Sequence, residues 1–198
     1  MEENPKKMAK AKIIAICGKA GAGKDTLLRR IMQLYPGKYH EIVSCTTRPP
    51  REGEVDGMDY FFFSVEEFTE EILNGNMLEA TEFNGWHYGT LLSSLYLKKV
   101  NIGVFNPAGI ASLLENSDID LQVYELEASP KTRLIRQLNR ESNPDVGEIL
   151  RRYYTDEELH VTVSSPDVCV AIVPVFAVIG AKRVKPCVLI LNTMSVIV

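Results

Sequence analysis

The sequence predicts an α/β fold: a parallel sheet flanked by helices, carrying a β-rich insertion. Three observations predict it. Ile13-Ile14-Ala15-Ile16-Cys17 is a short apolar run that suits a strand buried on both faces. Strand-like and helix-like segments alternate at both ends of the chain. Between them, Met77 to Phe83 and Trp86 to Tyr88 flank Asn84-Gly85, a pair that tolerates positive φ and so predicts an antiparallel hairpin.

The elements follow in order. After the first strand the chain turns through Gly18, Gly21 and Gly23 into a segment with apolar residues at Leu27, Leu28, Ile31 and Met32, the spacing of a helix. Glu41-Ile42-Val43 reads as a second strand and Asp59 to Phe63 as a third. Ser64-Val65-Glu66-Glu67 has capping-box spacing and opens a helix to about Leu73, stopped by Gly75. Val100 to Phe105 and Leu121 to Leu126 are further strands, each leading through a turn to a helix. Ser129 and Pro130 supply an N-cap and a first-turn proline for the last of these. We expect one domain over residues 1–198, with its core at 11–43 and 91–198, an insertion at 44–90 and a lid at 133–152.

Composition narrows the function. Hydrophobic residues at 45% and charged residues at 24% are ordinary for a globular chain, which removes disorder as a reading. A net charge of −4 argues against coating a nucleic-acid polymer, which needs a broad basic surface, yet leaves arginines enough to hold one small anion. Cys17, Cys45, Cys169 and Cys187 form no C-x-x-C pair and no zinc spacing with His40, His87 or His160, so reduced thiols in the cytoplasm are expected. Residues 1–12 hold no apolar stretch of signal length and read as a mobile tail. The runs Val168 to Ala181 and Cys187 to Val198 are broken by Pro174, Gly180 and Pro186. They fall short of the roughly 20 apolar residues of a membrane span, so strands are expected there and no membrane anchor.

Gly18-Lys19-Ala20-Gly21-Ala22-Gly23-Lys24 fits the G-x-x-x-x-G-K phosphate-loop pattern and stands between a buried strand and a helix, where that loop works. Glycines let successive N–H groups turn inward toward phosphate oxygens, the helix N-terminus adds partial positive charge, and Lys24 reaches the outer phosphates. The pattern expects Ser or Thr after the lysine as a Mg²⁺ ligand, but Asp25 and then Thr26 follow here. Either can supply a hard oxygen. Loops ending Gly-Lys-Asp-Thr resemble those of some viral deoxynucleotide kinases.

The segment from Ser44 through Thr46-Thr47-Arg48-Pro49-Pro50-Arg51-Glu52-Gly53-Glu54 to Asp59-Tyr60 places two arginines three residues apart in a proline-stiffened loop. Their guanidinium forks suit one phosphate. This segment closely resembles the acceptor-binding signature of the guanylate kinase family, and Met77-Leu78-Glu79-Ala80 with Tyr88-Gly89-Thr90 resembles the rest of that site. The likeness covers about residues 11–157 and stops by His160. It implies a P-loop NTPase core with an inserted monophosphate-binding subdomain, ATP as donor, Mg²⁺ as cofactor and GMP or dGMP as acceptor. It further implies that Arg48, Arg51, Tyr60 and Tyr88 hold the acceptor phosphate while Glu79, Thr90 and Ser44 read the guanine edge. A broader deoxynucleoside monophosphate kinase and a non-catalytic module that binds a protein partner are the competing readings, and the intact phosphate loop weighs against the second.

Arg133, Arg136 and Arg140 fall at i, i+3 and i+7, which predicts one basic helix face, and residues 141–147 separate them from Arg151 and Arg152. The resemblance implies that such arginines close over the transferring phosphates. Arg136, Arg140 and Arg151 are the expected catalytic set beside Lys24, with Arg133 and Arg152 as alternatives. Asn106 stands where the family usually has an aspartate.

Overall fold

In the computed structural model, the described residues are 10–83, 85–140, 142–158 and 170–174. Strand β1 (Ala11–Cys17) leads through the glycine loop into α1 (Lys24–Leu34), then β2 (Tyr39–Glu41). Two short strands, β3 (Cys45–Thr46) and β4 (Phe61–Phe62), precede α2 (Val65–Leu73) and the hairpin β5 (Met77–Phe83) and β6 (Trp86–Leu91). The chain continues as β7 (Val100–Val104), α3 (Pro107–Glu115), β8 (Ile119–Glu127), α4 (Pro130–Leu138), α5 (Val146–Glu158) and β9 (Val170–Pro174).

Two sheets result. The larger runs β2-β7-β1-β8-β9 with every neighbouring pair parallel, and the smaller runs β4-β3-β6-β5. β1 is central, and its side chains divide by parity. Ile14 and Ile16 pack with Leu28 and Ile31 of α1, whereas Ile13, Ala15 and Cys17 pack with Ile110 and Leu113 of α3. Burial on both faces explains the unbroken apolar run. Each fully buried Ile stabilises the fold by about 1.5–3 kcal/mol relative to exposure.

The caps act as their residue types dictate. The Ser64 hydroxyl accepts from Glu67 N at 3.1 Å while the Glu67 carboxylate accepts from Ser64 N at 2.7 Å, the reciprocal box that starts α2. Ser129 caps α4 by accepting from Thr132 N, with Pro130 in the first turn.

Several expectations shift. The second strand lies earlier, at Tyr39–Glu41, although Ile42 N still donates to Ile102 O at 2.8 Å. The third shrinks to Phe61–Phe62, because Asp59 turns back to accept from Val55 N. Of the C-terminal apolar runs, Val170–Pro174 forms an edge strand on β8, and Cys187 to Val198 lies outside the described residues. Cys169, Cys187, His160 and residues 1–9 lie outside them too. Among the described residues no helix is long and apolar enough to cross a membrane.

Candidate active site

The C-terminal ends of β1, β7 and β8 open into a cleft of about 750 Å³, whose other wall is the smaller sheet. That is where an open parallel sheet places a ligand, since the loops leaving its strands diverge there. The volume suits a nucleotide-sized site.

The glycine loop forms the floor. Gly18, Gly21 and Gly23 have φ of 132°, 76° and 104°. At Gly18 a Cβ would lie 2.4 Å from Leu126 O, and at Gly21 one would lie 2.5 Å from Arg133 O, so neither position admits a side chain. The close approach of loop to β8 and α4 is therefore written in glycine. Lys24 folds back over the loop, its Nζ donating to Gly18 O at 2.6 Å and Lys19 O at 3.3 Å. Burial lowers its pKa, with Asp25 and Asp156 opposing the shift. Arg136 braces the loop from α4, donating to Gly21 O at 3.2 Å and Ala22 O at 3.0 Å. From α5, Asp156 accepts from Ala20 N.

Above the loop sits a cluster of arginines around one carboxylate. Glu54 accepts from both Nη atoms of Arg48, at 2.7 and 2.9 Å, and from Arg51 N at 2.8 Å, while Arg140 Nη2 lies 3.4 Å away. Burial raises and these donors lower the Glu54 pKa, and the donors win. The Arg48 guanidinium also lies 5.1 Å from the Tyr60 ring centre, and Tyr60 meets Tyr88 edge-on at 6.3 Å. Burial, then the charges of Arg48, Arg152 and Arg140, bring Arg51 down to about 10, so it stays charged at neutral pH. Arg48, Arg51 and Arg140 stand against the single carboxylate of Glu54, which leaves a local surplus of positive charge at this wall of the cleft, the electrostatics of an anion site.

The far side of the cleft is selective in another way. Glu79 on β5 is buried, accepts from Thr90 Oγ1 at 2.9 Å, and is pushed up to about 7 by burial, with the Thr90 bond working against that rise. Its carboxylate abuts Gly109, where a Cβ would stand 3.1 Å from Glu79 Oε2.

Of the residues named from sequence, Gly18, Lys19, Ala20, Gly21, Gly23, Lys24, Asp25, Thr26, Ser44, Arg48, Arg51, Tyr60, Glu79, Tyr88, Arg136 and Arg140 line this one cleft. Ala22 and Thr90 are fully buried behind it. Three expectations need correction. Arg140 is not on a helix face, because α4 ends at Leu138 with Asn139 as its cap; the arginine reaches Glu54 from the following bend. Arg133 turns inward instead of sharing a face with Arg136 and lies 5.1 Å from the Tyr153 ring centre. Arg151 does not line the cleft, whereas Arg152 does. Glu148 holds both, bonding Arg151 Nε at 2.7 Å on the outer side and Arg152 Nε at 2.6 Å on the inner. Adjacent helical positions point about 100° apart, and the turn of α5 gives the cleft to Arg152.

Sequence reasoning passed over Glu54, Asp156 and Gln137. Glu54 sits inside the segment read for its arginines, and its carboxylate three residues after Arg51 was the available signal. The buried Gln137 Nε2 finds no partner among the described residues, and the residue stands at the cleft wall. Asn106 serves the fold. It caps α3 by accepting from Gly109 N at 2.7 Å and donates to Thr81 Oγ1 at 2.9 Å, a donation that a carboxylate could not make.

Residues 10–101 match the family model for guanylate kinase. The chain is 47% identical over 89 residues to a guanylate kinase of Nostoc sp. (strain PCC 7120 / SAG 25.82 / UTEX 2576), covering 45% of this chain and 43% of that one. It is 53% identical over 78 residues to one from Thermosynechococcus vestitus, covering 39% and 40% of the two chains. These matches span about two fifths of the relatives' length. A crystal structure of guanylate kinase from Anaplasma phagocytophilum superposes with a TM-score of 0.61 at 20% identity, over 95% of this chain and 86% of that one. Sequence likeness thus lies in the first half of the chain, and the likeness of fold extends beyond it.

Proposed function

We propose that the chain transfers the terminal phosphoryl group of ATP to the phosphate of GMP or dGMP, releasing ADP and the nucleoside diphosphate. The observation that carries this reading is the facing pair of anion sites in one cleft: the glycine loop with Lys24 below, and Arg48, Arg51, Arg140 and Arg152 above. A kinase needs both, because phosphoryl transfer asks the protein for alignment and positive charge and for little covalent chemistry.

In this reading the loop amides and Lys24 hold the donor's phosphates. Arg48 and Arg51 take the acceptor phosphate, with the Tyr60 and Tyr88 hydroxyls beside them. Arg136, Arg140 and Arg152 supply charge where the transferring group passes between the two sites. Ionised Glu79, steadied by Thr90, accepts from the N–H groups of the guanine edge, with Ser44 at the cleft wall nearby. Adenine lacks that pair of donors, so a buried carboxylate would be left unpaired against it.

Asp25 and Thr26 offer hard oxygens at the loop's end and both line the cleft, which fits Mg²⁺, an ion that takes few protein ligands and completes its shell with water and phosphate. Bound there, Mg²⁺ would neutralise donor phosphate charge. We assign the reaction to the cytoplasm, a reading supported by the free thiols of Cys17 and Cys45.

A coupled assay of ADP formation with GMP, dGMP, AMP, CMP and dTMP tests the proposal. Turnover with GMP or dGMP alone is expected. Comparable rates with AMP or CMP would replace it with a broad-specificity kinase, and no turnover with any acceptor would refute catalysis.

A further inference from the structure

The phosphate loop carries an internal anion. Asp156 is 6% exposed, lines the cleft from α5, and its Oδ2 accepts from the N–H of Ala20 inside the G-x-x-x-x-G segment. A backbone amide of such a loop can bind a phosphate oxygen, and a carboxylate oxygen offers it the same kind of acceptor. The carbonyls of the loop are held by cations. Lys24 spends its ammonium on Gly18 O and Lys19 O, and Arg136 spends its guanidinium on Gly21 O and Ala22 O.

We propose that Asp156 is a donor-affinity residue: it occupies the Ala20 amide until the phosphates of a nucleoside triphosphate displace it. This rests on the reading of the loop as the donor site. A polyphosphate cannot share the loop with a buried carboxylate without like-charge repulsion at short range and low dielectric. Binding therefore selects a state in which Asp156 has withdrawn, and the apparent affinity is reduced by the fraction of molecules in that state. Arg152 lies one helical turn before Asp156 on the same face of α5, and both line the cleft. Displacement of the carboxylate thus releases the helix that carries a cleft arginine, and links occupation of the donor site to the position of Arg152.

Calorimetric titration of ATP without acceptor, with and without Mg²⁺, tests this on the full chain as parent, Asp156→Asn and Asp156→Ala. The asparagine keeps size and an acceptor oxygen but not the charge. Both variants are expected to bind ATP roughly ten-fold more tightly, the scale of one lost charge-assisted contact. Both should also melt at a lower temperature than the parent when free of nucleotide. A merely structural role for Asp156 would lower the melting temperature without tightening ATP. Unchanged or weaker binding in both variants overturns the proposal, as does weakening confined to Mg²⁺, which would make Asp156 a metal-side group. If the parent binds no ATP, the donor-site reading itself falls; if the parent binds and the variants do not tighten, only the role of Asp156 falls.

Discussion

Thr90 Oγ1 donates a 2.9 Å hydrogen bond to Glu79 Oε1, and both side chains are buried. That one bond is too little to offset desolvation, so Glu79 ionises only near pH 7. Because guanine recognition needs the ionised form, KM for GMP should fall as pH rises through about 7 and level off above it. Folding carries the opposite sign. The folded pKa lies above the unfolded one, so stability due to Glu79 is fully present below about 4.5 and is lost as pH rises to about 7. Glu79→Gln has no proton to lose; it should flatten both profiles, raise KM for GMP sharply and leave ATP affinity nearly unchanged. A variant with parental GMP kinetics would remove Glu79 from the base site.

Lys24→Ala should abolish turnover while leaving the melting temperature close to the parent's. Its partners in the free chain are the loop carbonyls Gly18 O and Lys19 O, which keep access to water in the cleft. Retained turnover would detach the loop from ATP.

Arg48→Ala should raise KM for the acceptor about ten- to a hundred-fold, the scale of one lost charged hydrogen bond of about 1.5–3 kcal/mol. It should also destabilise the fold, since Glu54 loses two of its donors in a buried place. Steady-state kinetics and thermal melts read the two effects separately.

Arg152→Ala and Arg151→Ala separate the two adjacent arginines. Loss of Arg152 should lower kcat by at least ten-fold, and loss of Arg151 should change it by less than about two-fold, because only Arg152 lines the cleft. Equal losses would mean that α5 turns during the reaction.

Ile16→Ala should cost about 2–5 kcal/mol of stability, because Ile16 is 1% exposed at the centre of the parallel sheet and its cavity cannot collapse between α1 and the strands. Chemical denaturation measures it.

The local signals in the sequence were enough for what depends on neighbours in the chain. The run at residues 13–17, the glycine loop, the Ser64 box and the Ser129-Pro130 cap each encode a strand, a turn or a helix start through backbone sterics and short-range hydrogen bonds. The arginines and glutamate of the cleft were legible as residue types in a pattern. Which of them meet was decided only by the tertiary structure. Arg140 and Glu54 stand 86 positions apart, and Ala20 and Asp156 stand 136 apart, so both contacts exist only once the two sheets and α5 have packed. The end of α4 at Leu138 put Arg140 off the helix, and the rotation of α5 chose Arg152 over Arg151. Helical spacing tells which residues share a face, but which face turns inward is fixed by the burial of Ile149 and Arg133 against the rest of the core, a free energy that no local window contains.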